Sequence, residues 1–258
     1  MTAPDFAIKG PGGRWYELPD SIVDGGFRGM SVTTVLSNGV PAPALKKWGE
    51  NQVAEWAVAN LTEWKDLPND EALKALKNAP YSTLTKAGNR GTDIHEIAER
   101  VVGGLDVNSF EGQVHGKFAQ YIKDFLDDFK VEVISFERTV INFEYLYAGS
   151  YDLLCKIDGR TVLVDWKTSK SVYGKFGVQL AAYAKADLEL TEDNVLLPMP
   201  HVDELAVVHL TEDGYKFIPV VTPIDDLFSL FTKIRSVADF TVAGERKILG
   251  KAINVGRK

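Results

Sequence analysis

The residues best suited to chemistry lie between Gly149 and Tyr183. Asp165 and Lys167 stand two apart at the end of a Val-rich run, 160–166, that reads as a strand. Side chains alternate across a strand, so the acid and the lysine share one face and Val164 and Trp166 the other. Asp152 lies on the preceding candidate strand, and Asp158-Gly159 between the two supplies the positive φ angles of a tight primed turn. A hairpin there brings two carboxylates together. Close carboxylates repel unless a cation lies between them. Mg²⁺ is commonly held by one or two carboxylates, with water and substrate phosphate completing its shell. A divalent ion so held polarises a phosphoryl oxygen and acidifies its own water, while Lys167 could orient that water or offset charge developing on phosphate. The indicated chemistry is phosphodiester hydrolysis.

Other residues could join this centre. Gln179 and Tyr183, four apart on a candidate helix, project from one face and could grip phosphate or hold the lysine. His95 lies on a helix beginning just after Gly91, and an imidazole ligand would favour Mn²⁺ as well as Mg²⁺. Glu99, one turn on, could accept a hydrogen bond from that imidazole, although an exposed helix carboxylate is the simpler account. Glu137, on the first strand of the group, could position metal-bound water. Asp165 and Lys167 alone would suggest a solvent-exposed salt bridge. Asp152, Gln179 and Tyr183 at compatible positions shift the balance to a nuclease site. His115, His201 and His209 have no such context and read as structural, and Cys155 reads as a small core residue opposite the catalytic face. Trp48, Trp56 and Trp64 recur at eight-residue intervals. They could stack on bases, but a core stripe fits the helical period better.

These side chains need a frame. Residues 1–41 are rich in Gly and Pro and read as a lead-in of small strands or loops, including 14–18 and 30–36. Apolar spacing predicts helices over 43–64, 70–76, 92–102 and 112–129. From residue 131 the texture changes to alternating Val, Ile, Phe and Tyr, predicting strands at 131–142, 146–157 and 160–166. A helix over 176–190, strands at 204–210 and 215–221, and a helix over 224–238 complete the pattern. The expected whole is one α/β domain over residues 1–258: a lead-in and helical wall carrying His95 over 1–130, then the catalytic sheet core with C-terminal helix and tail over 131–258.

The run Gly91-Thr-Asp-Ile-His95, Gly149-Ser-Tyr-Asp152, Asp165-Trp-Lys167 and Gln179-Leu-Ala-Ala-Tyr183 resembles the RecB-like exonuclease branch of the PD-(D/E)XK nuclease superfamily. Ser31-Val-Thr-Thr-Val and 45–48 also look like the helical lead-in of virus-encoded members. The resemblance covers roughly 88–190. It implies an αβββαβ core, a central mixed sheet flanked by helices with an N-terminal helical extension. It also implies one or two Mg²⁺ or Mn²⁺ ions ligated by His95, Asp152, Asp165 and the Trp166 main-chain carbonyl, with Lys167 catalytic and Gln179 and Tyr183 supporting. The expected activity is metal-dependent hydrolysis of DNA from its ends, on linear duplex or single strand, in recombination, repair or replication. A strand-annealing or single-strand-binding protein would be a fitting partner, and ring-forming relatives leave a homo-oligomer open. A structure-specific endonuclease and a non-catalytic DNA-binding or assembly subunit are the alternatives. The intact Asp152, Asp165 and Lys167 speak against the last.

Composition sets further bounds. Hydrophobic residues make up 45% of the 258, enough for a sizeable core. The single cysteine excludes an internal disulfide and the four-cysteine iron-sulfur cluster that many members of this branch carry. The chain lacks a Walker loop, and with it a motor of its own. Its start shows no signal-peptide pattern and no run nears the roughly 18 apolar residues of a membrane span. The expected compartment is the cytoplasm, that of the host if the chain is virus-encoded. The formal charge of -7 opposes bulk coating of nucleic acid, but eight acids and no Lys or Arg fall between 187 and 213. Six Lys or Arg against two acids fall within 156–185, and five against one within 245–258, leaving basic charge where phosphate would approach.

Overall fold

A three-stranded meander opens the chain, β1 (Ala7–Gly10), β2 (Gly13–Leu18) and β3 (Phe27–Ser31), in a computed structural model that describes residues 6–251, apart from the side chains of residues 82, 83, 86, 87 and 246. Helices α1 (Val32–Gly39), α2 (Pro43–Ala59), α3 (Leu61–Trp64), α4 (Asn69–Val102) and α5 (Lys117–Asp128) follow. The second half holds β4 (Glu132–Asn142), β5 (Tyr147–Ile157), β6 (Arg160–Lys167), α6 (Lys175–Ala184), β7 (Leu188–Leu190), β8 (Leu196–Pro198), β9 (Glu204–Thr211), β10 (Gly214–Pro219) and α7 (Ile224–Asp239). All ten strands belong to one mixed sheet. Strands β4, β5 and β6 run antiparallel in turn, β9 lies parallel to β6, and the β7–β8 hairpin extends the β4 edge.

Alternation along β6 divides the core into two layers. Val162, Val164 and Trp166 pack with Ile94, Ile97, Phe118 and Phe125 of α4 and α5. Leu163, on the other face, joins Val35 of α1, Leu180 and Tyr183 of α6 and Phe231 of α7. A mixed sheet with helices on both faces is therefore present. The Asp158-Gly159 turn forms as its residues require, with φ of 50° and 79° between the paired Ile157 and Arg160.

Strand β5 creates the key irregularity. On one side it pairs with β4 nearly throughout. Its other edge is divided: Tyr147 and Ala148 pair with β3, while Leu153 to Ile157 pair with β6. Residues 149–152 lie in the fork between β3 and β6. Backbone groups of β6 beyond the ladder need partners other than a strand, and Asp152 supplies one to Trp166.

Several sequence expectations are corrected. Expected helices at 70–76 and 92–102 are parts of one 34-residue helix, α4, which continues through Pro80. The expected helix over 43–64 breaks at Asn60, whose Nδ2 bonds the Trp56 carbonyl. Trp48, Trp56 and Trp64 are not core: α2 buries no residue and the three indoles are half-exposed. Segment 30–36 is strand only to Ser31, whose side chain accepts the Thr34 N–H and starts α1. The helix expected from Gly112 starts at Lys117, and that expected to end at 190 stops at Ala184, leaving 188–190 as β7. The lead-in is also more than a preface, because β3 joins the main sheet. Of the basic tail, residues 252–258 lie outside the described residues. Among the described residues no helix is long and apolar enough to cross a membrane.

Candidate metal centre

Asp152 sits at the fork. The β5–β6 ladder ends at Leu153↔Val164. The Trp166 N–H then donates to Asp152 Oδ2 at 2.7 Å. The carboxylate thus replaces a strand carbonyl and is fixed beside the end of β6. Its other oxygen lies 3.3 Å from His95 Nδ1, delivered by α4. A Cβ added at Gly91 would lie 3.7 Å from Thr168 Oγ1, so the helix passes close to the chain leaving Lys167.

Asp165 and Lys167 share the face of β6 turned to α6, as alternation requires, and they form an ion pair. Asp165 is 2% exposed. Its Oδ1 accepts from Gln179 Nε2 at 3.0 Å, and that nitrogen also lies 3.3 Å from Tyr183 Oη. Gln179 and Tyr183 are both buried, so they form a positioning chain behind Asp165 and present no surface to grip phosphate. Gly149 makes room for this chain: a Cβ there would lie 2.5 Å from Tyr183 Cε1. The Lys167 ammonium also lies 4.9 Å from the Phe176 ring centroid, within cation–π range.

Glu137 on β4 enters from the far side of Asp152. Paired neighbours Phe136↔Leu153 and Arg138↔Tyr151 put it opposite Asp152. Donor atoms of His95, Glu137 and Asp152 all lie within 4.8 Å of one another. Glu99, by contrast, is exposed, and the His95 ion pair is made with Asp152.

The electrostatics reflect crowding of charge in a dry site. Burial opposes protonation of His95, but Asp152 outweighs it and raises the imidazole to about 9. Burial likewise opposes ionisation of Asp152, yet His95, Lys167 and the Trp166 N–H hold its carboxyl below the usual range. For Asp165, burial prevails over the Lys167 ammonium and lifts the carboxyl to about 6, with Asp152 adding repulsion. Burial, then the Asp152 charge, lifts Glu137 to about 8. Burial raises Tyr183 above the ordinary phenol range, so it remains a neutral hydrogen-bonding group.

A divalent cation fits this environment. His95 Nδ1 and Asp165 Oδ2 are buried, and each meets only a charged neighbour, Asp152 and Lys167 respectively. Imidazole with carboxylates is a donor set that can hold a divalent cation. The remaining histidines lie outside this cluster: His209 Nε2 is 2.7 Å from the Ser169 carbonyl, His115 packs on Phe118, and His201 is exposed near Asp203. Cys155 is buried in the α5-facing layer, on the opposite face from Asp165. Sequence reasoning gave Glu137 only an accessory part. Alternation along β4 says which face a side chain takes, not that this carboxylate lies opposite Asp152.

No family model matches the chain, and no curated protein matches it. Among solved structures, the crystal structure of SSO0001 is similar over 50% of this chain and 61% of that one, with a TM-score of 0.29 and 18% identity. A superposition that loose fixes neither fold family nor activity.

Proposed function

We propose that the chain is a metal-dependent DNA exonuclease of the RecB-like PD-(D/E)XK type. The observation that carries this reading is the meeting of Asp152, Asp165, Lys167 and His95 at the β3/β6 fork, as two linked pairs of buried or nearly buried charged groups. The order α5-β4-β5-β6-α6-β9, with the β7–β8 hairpin inserted, supports an αβββαβ core. Asp152, Asp165, His95 and the Trp166 main-chain carbonyl are the residues that would hold Mg²⁺ or Mn²⁺. When bound, the ion would polarise a phosphoryl oxygen and supply an acidified water. Lys167, held by Asp165 and the Phe176 ring, puts a positive charge where a pentacovalent phosphate would gather negative charge. Gln179 and Tyr183 keep Asp165 in place. Lys170 and Lys175, exposed on the segment after β6, would meet the DNA backbone and make binding salt-sensitive.

The deciding experiment incubates purified protein with end-labelled linear DNA and covalently closed circular DNA, in Mg²⁺, Mn²⁺ or EDTA. Loss of linear DNA only, abolished by EDTA and by Asp165→Ala, is the expected result. Nicking of the circle would replace this reading with an endonuclease. Binding without cleavage in either metal would replace it with a DNA-binding or assembly subunit.

A further inference from the structure

Glu137 is the carboxylate that the chemistry above leaves unused. We infer that it is a direct ligand of the divalent cation, so that His95, Glu137 and Asp152 form the primary cation niche. This rests on the metal-dependent reading of the site and refines which donors carry the ion.

Four observations converge on it. One donor atom from each of His95, Glu137 and Asp152 lies within 4.8 Å of the other two, a common reach that does not extend to Asp165. Glu137 stands opposite Asp152 in the β4–β5 register, so two carboxylates face one another. No described residue makes a hydrogen bond or ion pair to Glu137, whereas Asp165 already has Lys167 and Gln179. His95 Nδ1 is buried at the same place, with Asp152 at 3.3 Å as its ion-pair partner. Facing carboxylates ionise together only with positive charge between them, and an imidazole with two carboxylates provides the donors for a small divalent ion.

Backbone geometry adds a further sign. Glu137 has φ of 50° in mid-strand, a conformation that residues other than glycine adopt rarely. Such outliers persist where surrounding structure imposes them and cluster at ligand sites. The register continues unchanged past Glu137, so no inserted residue causes the outlier. Asp152 thus borders two niches. One holds Glu137 and His95, and the other holds Asp165 with the Lys167 ammonium already in place.

The test uses the full chain stripped of metal with EDTA and titrated with Mn²⁺, free ion being followed by electron paramagnetic resonance. Thermal unfolding is recorded with and without Mn²⁺. Glu137→Gln is expected to weaken Mn²⁺ binding at least tenfold and to remove most of the Mn²⁺-induced rise in unfolding temperature. Its metal-free unfolding temperature should equal or exceed that of the original chain, since the amide cannot take up a charge against Asp152. Asp165→Asn should weaken Mn²⁺ binding less than Glu137→Gln does. If Glu137→Gln does not fold, Glu137→Asn, whose side chain tolerates left-handed backbone, makes the same comparison. Binding within twofold of the original chain, with its full thermal shift, would overturn the inference even if the protein cleaves DNA. Loss of Mn²⁺ binding in Glu137→Gln, in a protein that cleaves no DNA, would uphold it while the nuclease reading falls.

Discussion

Replacing Gly149 by alanine should harm this protein through a single contact. The new Cβ would lie 2.5 Å from Cε1 of Tyr183 and 3.2 Å from Cζ and Oη. Carbon atoms pack favourably at about 3.5–4.0 Å, so the ring must retreat by roughly an ångström. Tyr183 is only 3% exposed, and its hydroxyl takes part in the chain to Gln179 and Asp165. Overpacking of this kind costs about 1–3 kcal/mol, and roughly 2–4 °C of unfolding temperature accompanies each kcal/mol in a chain near this length. The backbone itself has no objection, since Gly149 is not among the positive-φ residues. Leucine at position 183 lacks all three clashing atoms. In a Tyr183→Leu background, Gly149→Ala should therefore change sign and stabilise by about 0.4–1 kcal/mol through the unfolded chain. Urea unfolding of the four proteins, followed by circular dichroism in EDTA, gives the coupling. Equal cost in both backgrounds would refute the steric account, and so would a neutral Gly149→Ala in the original chain.

Two further outcomes follow from buried groups away from the centre. Arg138→Met leaves Glu189, 2% exposed, without its ion-pair partner, and should cost about 3–5 kcal/mol in urea unfolding. Adding Glu189→Gln, which can still accept from Tyr151, should recover most of that loss; no recovery would mean that the pair is not the cause. Burial lifts the Cys155 thiol to about 12 from an ordinary value of 9.0. The unfolded chain ionises first, so stability should fall as pH rises above 9 toward 12, and Cys155→Ala or Cys155→Val should flatten that decline. Rapid alkylation of the folded protein at pH 9 would contradict the burial.

The sequence by itself determined what depends on neighbours along the chain. The Asp158-Gly159 turn follows from two residues, and the shared face of Asp165 and Lys167 follows from strand alternation. Strands β4, β5, β6, β9 and β10 are legible to within a residue or two because their runs of Val, Ile, Leu, Phe and Tyr are short and bounded by turn residues. Local signals misled where tertiary contacts prevailed. Separate apolar stripes over 70–76 and 92–102 read as two helices, yet α4 runs through both and through Pro80, in contact with α2, α5 and β4. The tryptophans of α2 keep helical spacing without a core to enter. Strand β7 reads as the end of a helix, because three residues carry too little periodicity to separate the two.

The candidate centre divides in the same way. Residue types and spacing brought Asp152, Asp165 and Lys167 together, since a tight hairpin leaves little freedom. They could not give Gln179 and Tyr183 their actual place, because helical periodicity says which residues share a face but not whether that face meets solvent or Asp165. Nor could they put Glu137 opposite Asp152, a matter of register between β4 and β5. Only the tertiary structure decided these points. Register and sheet splitting are set by packing among segments far apart in sequence, and the split of β5 between β3 and β6 is what opens the place where these side chains meet.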